Sequence, residues 1–331
     1  MSAPGIDVIV PCYNYGRYLP DCVSSVLDET QIPVRVLIID DASPDGSVEV
    51  AHRLAAADPR VTVLAHAVNR GHIATYNEGI DWLEQRYMLL LSADDMVAPG
   101  ALARAVRLME DRPAVAFVHG RAMRFSSEDE LAAAETLIGP CADATVGSGL
   151  AFIQDRCAVP LNPVQTATAV VRTEVQKRVG GYCAQLPHAG DLEMWLRCAA
   201  QGDVGEIPAL QAFVRIHDAN MHHGYTGAQI LADHKQRREA FGYFFDHHRA
   251  TLPGAAELEQ TALRALAMDL LWEASRVIES GGSDREIINY ARELWPGVTR
   301  TSRYLKLGVK RGLRPLVPQW RSGARSSEVA A

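Results

Sequence analysis

Two pairs of adjacent carboxylates stand out along this chain of 331 residues, Asp40-Asp41 and Asp94-Asp95. Each follows an apolar run, Val34 to Ile39 in one case and Tyr87 to Leu91 in the other. Adjacent carboxylates repel one another, and burial raises that cost. A divalent cation relieves both. Hard oxygen donors select Mg²⁺ or Mn²⁺, which take one or two carboxylates together with substrate phosphates. Taken alone, Asp94-Asp95 also reads as a solvated helix start, where acids favour the dipole. The second pair shifts the balance toward a site. Asp40 can accept hydrogen bonds from a nucleobase N–H or a ribose hydroxyl. Asp41, Ser43 and Asp45 lie in a stretch of turn formers and are expected to serve turns and caps.

Three further segments carry candidate chemistry. Asn69-Arg70-Gly71-His72 joins a strand to a helix, and such a loop can hold a ligand against a helix start. Helix capping alone explains Asn69 and Gly71 as well, and His72 reads as an ordinary surface or cleft histidine. Asp191 opens the helical segment Gly190 to Arg197, where its first reading is an N-cap. Glu193, two residues on, cannot share its helix face. Val214-Arg215-Ile216-His217 closes a strand, a place where a lone histidine is usually structural.

The elements that must position these residues alternate. Strands are expected at Ile6–Val10, Val34–Ile39, Val61–Ala65, Tyr87–Leu91 and Ala114–His119. Between them, helices are expected at Tyr18–Leu27, Ser47–Ala57, Ile73–Gln85 and Pro99–Glu110. This alternation, with continuously apolar strands, predicts an α/β fold with a mostly parallel sheet covered on both faces. Ligands of open α/β sheets bind beyond the carboxyl ends of the strands, which is where the candidate residues fall. A polar excursion is expected over Ser126–Ser148. A further strand is expected over Gln165–Val171, an amphipathic helix over Leu192–Ala200, and one or two strands over Ile207–Ile216. From Thr226 to Glu293 the pattern is helical, broken at Gly281-Gly282-Ser283.

Composition narrows the class. The chain is 48% hydrophobic and 22% charged, as expected of a globular protein and not of a disordered or collagen-like one. A net charge of -7 argues against nucleic acid as a partner. The charge is uneven, however. Residues 299–331 hold eight basic residues and one acid, or +7, against 25 basic and 39 acidic residues elsewhere, or -14. Basic and apolar residues interleave from Tyr304 to Arg314, a pattern suited to an anionic membrane surface and equally to a solvated helix. Two glycines, with Pro315 and Pro318 following, weaken a continuous helix there. No leader is expected before Ile6, and no apolar run approaches the ~20 residues of a membrane span. The six cysteines form no CxxC pair and read as reduced thiols. A cytoplasmic location is expected, with peripheral contact at the inner face of the cell membrane.

Val8-Ile9-Val10-Pro11-Cys12-Tyr13-Asn14, then Ile38 through Ser47, then Asn69-Arg70-Gly71 with Asn77-Glu78-Gly79-Ile80, then Leu91-Ser92-Ala93-Asp94-Asp95 with Pro99-Gly100 come in a fixed order. That ordered set resembles the family 2 glycosyltransferases, over roughly residues 6–220. The resemblance implies a GT-A fold and transfer of a sugar from a nucleotide donor with inversion at the anomeric carbon. It places Pro11 and Tyr13 in a base pocket, Asp40 on the base, most often uracil, and Asp94 at the ribose or metal. Asn69 and Gly71 would contribute to the donor site, and Asp95 would ligate Mn²⁺ or Mg²⁺ on the diphosphate. Ser92 stands where many relatives have an acid. The resemblance makes Asp191 the base that deprotonates the acceptor, although Gly190 precedes it where an acid is common. Trp195 then reads as core or as a platform for a sugar. Arg215 and His217 would approach the diphosphate, His217 as a metal ligand, with Asn220 in the same segment and His222 and His223 less clearly placed.

The implied partners are a nucleotide-sugar donor and an acceptor hydroxyl on a glycan, a lipid-linked or a small molecule. A homo-oligomer is an open expectation. The implied organisation is a glycosyltransferase domain over 1–225, with its nucleotide half at 1–120 and its acceptor half at 148–225. A helical extension at 226–298 and a basic tail at 299–331 follow. Two other functions compete: a binding subunit without activity and a nucleotidyltransferase. Retention of Asp191 and the Asp94-Asp95 pair weighs against the first. Pro11 to Arg17, which lacks a Gly-rich basic loop, weighs against the second. A nicotinamide dehydrogenase is disfavoured because no GxGxxG follows the first strand.

Overall fold

The computed structural model describes residues 4–135, 143–218 and 228–313. Cys141, Asn220, His222, His223 and the tail from Arg314 onward lie outside the described residues. The other five cysteines are free and buried.

Among the described residues, nine strands form one sheet. They are β1 (Ile6–Cys12), β2 (Val34–Asp40), β3 (Val61–Ala65), β4 (Tyr87–Leu90), β5 (Met96–Val97), β6 (Val115–Phe125), β7 (Thr145–Gly147), β8 (Val170–Arg172) and β9 (Asp203–Arg215). Their order is β3-β2-β1-β4-β8-β6-β9-β5, with β7 also pairing with β9. The first four strands in sequence that were read as parallel are parallel: β1 runs between β2 and β4, and β2 beside β3. The fifth departs from that expectation. β8 inserts antiparallel between β4 and β6, so β6 never reaches the parallel block. Only three residues long, β8 gives no periodicity that reveals its partners. The sheet is therefore mixed.

The helices are α1 (Leu19–Leu27), α2 (Ser47–Ala57), α3 (His72–Trp82), α4 (Ala101–Asp111), α5 (Glu128–Glu135), α6 (Gly149–Ala158), α7 (Thr173–Val179) and α8 (Gly190–Ala199), followed by four more described below. Local chemistry explains the ones that frame the site. α1 buries Leu19, Cys22, Val23 and Val26, a stripe at helical spacing, and carries Pro in its first turn. α3 lies close on β1 because position 79 is glycine. A Cβ there would stand 2.4 Å from Cγ2 of buried Ile9. α8 turns Leu192, Trp195, Leu196 and Ala199 into the interior.

Two compact units emerge, one of Met1–Tyr225 with Lys235–Ala262, the other of Thr226–His234 with Leu263–Ala331. The core of the first follows the apolar strands, with Ile6, Val8, Val10, Ile38, Leu89 and Val118 sealed from solvent. The core of the second gathers Leu270, Leu271, Ala274, Ile278, Ile287, Ile288 and Leu307.

The C-terminal helices are α9 (Ala228–His248), α10 (Ala255–Glu279), α11 (Arg285–Leu294) and α12 (Ser302–Leu313). The break at Gly281 is present, with φ of +87°. A second break, at 249–254, was not anticipated; it contains Pro253, and Gly254 there takes φ of +68°. α12 forms despite its glycines because Leu307 anchors it in the second core. No described helix is long and apolar enough to cross a membrane.

Candidate active site

The carboxyl ends of β1, β2 and β4 lie side by side, with Cys12 in register with Asp40 and Ile9 with Leu90. Above them opens a cleft of about 620 Å³. Pro11, Tyr13, Asn69, Gly71, Asp94, Asp95 and Asp191 all line it. Asp40, Arg215 and His217 do not.

The loops after β1 and β2 are tied to each other. Asp41 N donates to Cys12 O at 2.9 Å, and Asn14 N donates to Ser43 Oγ at 3.0 Å. Asn14 and Ala42 both take left-handed backbone, with φ of 63° and 59°. That conformation is uncommon outside glycine and concentrates at functional sites. Tyr13, on the first loop, is 46% exposed in the cleft, its ring open to a flat ligand.

The second loop reverses the expected roles of its two acids. Asp40 is buried and accepts from Ser43 N at 3.0 Å, so it is the one that serves the turn. Its Oδ1 is buried without a hydrogen-bond partner. Asp41 is the one that lines the cleft. Neighbouring side chains at a strand end point to opposite sides, so only one of the pair can face the ligand, and one sequence cannot say which. Asp41 Oδ1 accepts from Arg70 N at 2.7 Å and lies 2.7 Å from His66 Nδ1, while Oδ2 accepts from Gly71 N at 2.8 Å. Burial pushes its pKa up, but these three bonds outweigh that and hold it below the usual carboxylate range. A carboxylate accepts about four hydrogen bonds, so Asp41 can take one more. Gly71 has φ of +82° with ample space around it, and Asn69 Oδ1 accepts from Gly71 N at 3.1 Å.

Asp94 and Asp95 sit in the tight turn after β4, where Asp95 N donates to Ser92 O at 3.0 Å. Asp94 Oδ2 lies 3.1 Å from Nε2 of His217. Asp95 Oδ1 accepts from Arg215 N at 3.1 Å. Burial, and then the charge of Asp94, pushes Asp95 well above the usual carboxylate range. Burial raises Asp94 as well, against the pull of its own backbone N–H and of His217. Among the described residues no group of three His, Cys, Asp or Glu is arranged around a metal position. Two buried, mutually repelling carboxylates on a cleft wall nevertheless fit Mg²⁺ or Mn²⁺, which complete their shells from phosphate and water.

Arg215 differs from its expected place. Its guanidinium turns away from the cleft, to Asp21 at 3.1 Å and Glu128 at 3.2 Å. It lies over the rings of Tyr18 and Phe125, 4.7 and 4.6 Å from their centres. It supports the site through its backbone N–H on Asp95 and through its Nε, which donates to Asp94 O at 3.4 Å. The His217 ring is stacked on Tyr18 and set edge-on to Tyr15, both 5.2 Å away. It holds Asp94 and stays out of the cleft lining.

Asp191, also in the cleft lining, stands in the first turn of α8, and Thr166 Oγ1 donates to its Oδ2 at 2.9 Å. Thr166 opens a 3₁₀ turn, Thr166–Thr168. Glu193 is fully buried and pairs with Arg197 at 2.6 Å, so it faces away as expected. Trp195 is core. It stacks on Phe117 at 5.5 Å between ring centres and cannot reach a ligand.

Three residues in or beside the cleft escaped the sequence reading. Tyr76 lies one turn after His72 on α3, and its ring meets those of His72 and Tyr182. Helical spacing from His72 could have pointed to it. Burial pushes the Tyr76 hydroxyl pKa upward, with Asp191 the next contributor. His66, which bridges Asp41 and Glu78, and Thr166 gave no local signal.

Comparison with known proteins agrees with this fold. The family model for glycosyl transferase family 2 matches residues 7–169. The chain is 22% identical over 249 residues to an uncharacterized glycosyltransferase of Haemophilus influenzae, covering 74% of this chain and 76% of that protein. It is 33% identical over 110 residues to glycosyltransferase GlyG of Streptococcus pneumoniae, covering 33% of this chain and 36% of that one. Among solved structures, it resembles S. aureus TarS 1-349 in complex with UDP-GlcNAc. There the TM-score is 0.56 at 15% identity, over 94% of this chain and 92% of the other. It also resembles mannosyltransferase PcManGT from Pyrobaculum calidifontis in complex with GDP-Man and Mn²⁺. There the TM-score is 0.53 at 18% identity, over 95% and 88%. At such identities the structural likeness is one of fold.

Proposed function

Because this chain belongs to glycosyl transferase family 2 and is a glycosyltransferase, we propose that it moves a sugar, with inversion, from a nucleotide-sugar to an acceptor hydroxyl. The observation that carries this reading is the shared cleft. Asp94 and Asp95, from the turn after β4, and Asp191, from the start of α8, line the same cleft. An inverting transfer needs both kinds of group in one cleft, carboxylates to hold the cation on the leaving diphosphate and a separate base for the incoming oxygen.

Each residue has a defined task. Tyr13 offers its exposed ring to the base. Asp41 uses its remaining acceptor position for a base N–H, taking the role first expected of Asp40. Asn69 and Gly71 shape the loop that holds Asp41, and Pro11 closes the pocket beside Tyr13. Asp95, with Asp94, would hold the Mg²⁺ or Mn²⁺ whose charge offsets that of the departing diphosphate. Arg215 and His217 keep those two carboxylates in position. Asp191 accepts the proton of the acceptor hydroxyl as the oxygen attacks, with Thr166 fixing its orientation.

A UDP-sugar is the first choice of donor, since Asp41 matches the single N–H on the uracil edge. The acceptor is a hydroxyl on a glycan, a lipid-linked or a small molecule. The basic C-terminal segment would hold the enzyme at the inner face of the cell membrane.

Calorimetric titration with UDP, GDP and dTDP, each with and without Mn²⁺, tests the donor site on wild type and Asp95→Asn. Metal-dependent binding of one nucleotide, lost in the variant, is the expected result. No binding of any nucleotide by folded protein would overturn the reading.

A further inference from the structure

We infer that the outward side of α12, with Trp272 of α10, is a docking surface for an anionic lipid bilayer. The inference deepens the surface contact proposed above and rests on it, but not on the transfer chemistry.

Among the described residues, α12 is held from one side. Leu307 is 3% exposed in the second core. Lys310 Nζ donates to Ser275 Oγ at 2.7 Å and meets Glu279. Arg311 Nε donates to Asp284 Oδ2 at 3.0 Å, and Arg303 Nη1 donates to Met268 O at 3.2 Å. The opposite side presents Leu305 and Val309, one turn apart and 64% and 63% exposed. Trp272 is 50% exposed. It lies on α10 between Met268 and Ser275, the residues that Arg303 and Lys310 of α12 contact, and the guanidinium of Arg276 lies over its ring at 5.0 Å.

Charge selects the occupant. Residues 299–313 contain five basic residues and no acid. Glu279 and Asp284 offset Lys310 and Arg311 on the inner side. Arg300 and Lys306 have no ion-pair partner among the described residues. The sequence then continues the pattern with Arg314, Leu316, Val317, Trp320 and Arg321. Cations beside an apolar pole and a tryptophan match a bilayer interface. There the cations meet lipid phosphates while the apolar side chains enter the acyl boundary. A second copy would set like charge against like charge. Two aliphatic side chains also fall well short of the roughly 800 Å² per partner of a stable protein interface.

The test is co-sedimentation of the full chain with vesicles of phosphatidylcholine, with and without phosphatidylglycerol. Binding to the phosphatidylglycerol vesicles, weakened by salt, is expected. Leu305→Ser with Val309→Ser should lower the partition about tenfold or more, and Lys306→Glu roughly tenfold. The emission shift on adding vesicles should shrink in Trp272→Phe. Nucleotide titration of the same variants should match wild type, which separates failure of docking from failure of the donor site. Three results would overturn the inference: no binding at low salt, equal binding to both vesicle types, or undiminished binding by the Leu305/Val309 variant. A soluble dimer that this variant abolishes would instead assign the face to a second copy and would equally overturn it.

Discussion

Thr166 donates its hydroxyl to Asp191 Oδ2 at 2.9 Å. The two lie 25 residues apart, one in a 3₁₀ turn and the other in the first turn of α8. The turn is itself pinned, since Gly120 N of β6 donates to Thr168 Oγ1 at 3.3 Å. The candidate base is thus oriented from the sheet and not by its own helix alone.

Replacing Asp191 with Asn should lower turnover by about 10²–10⁴-fold, the range associated with a general base. Nucleotide binding should stay unchanged. Thr166→Val keeps the side-chain shape and removes the donor, so it should lower kcat less than Asp191→Asn and leave the donor KM alone. Steady-state kinetics beside calorimetry checks both. An Asp191→Asn enzyme of full activity would remove Asp191 from the mechanism.

Two substitutions separate the tasks of Asp95. Asn keeps an oxygen for the N–H of Arg215 but forfeits the charge, so Asp95→Asn should lose metal-dependent nucleotide binding with stability near wild type. Ala leaves that buried N–H unsatisfied, a cost of about 1–3 kcal/mol. Asp95→Ala should therefore lose binding and also unfold at lower urea. Equal stabilities of the two variants would show that the Arg215 contact does not matter to the fold.

Asp41 sets a pH dependence. Its folded pKa lies below the ordinary aspartate value of 3.8. Its stabilising contribution is therefore complete above that value and is lost as pH falls through the folded pKa. In Asp41→Asn the amide places a donor against the N–H groups of Arg70 or Gly71. The variant should melt below wild type at pH 7, and the gap should narrow as pH falls below about 3.8. Thermal melts across that range test the sign. A gap that widens in acid would contradict it.

Gly79 sets the spacing of α3 from β1. A Cβ would meet Ile9 Cγ2 at 2.4 Å, and Ile9 is sealed in the core. Gly79→Ala should cost about 1–3 kcal/mol, the usual range for overpacking. Urea unfolding measures it. Because α3 carries Thr75 and Tyr76 into the cleft, nucleotide affinity should fall in the same variant.

How much of this was legible beforehand varied with the distance over which each feature is decided. The apolar runs of β1 to β4 and the stripe of α1 are local patterns, and each element appears at its expected place. The acidic pairs fall at strand ends, so a site at one edge of the sheet could be read from spacing alone. Which aspartate of Asp40-Asp41 faces the cleft could not, because a turn that inverts the pair changes no composition. The same holds for Arg215. Its type and position suggested a phosphate contact, yet Asp21 and Glu128, far away along the chain, draw its guanidinium outward.

By itself, then, the sequence determined the α/β alternation, the edge that bears the chemistry, and the carboxylates available to it. Burial, strand periodicity and turn chemistry act over a few residues, and those leave their mark in order and spacing. Only the tertiary structure decided that β8 runs antiparallel between β4 and β6, that Asp41 and not Asp40 enters the cleft, and that Thr166 reaches Asp191. These depend on hydrogen bonds and packing between segments that meet only after folding, where many pairings are compatible with one pattern and the best-satisfied one prevails.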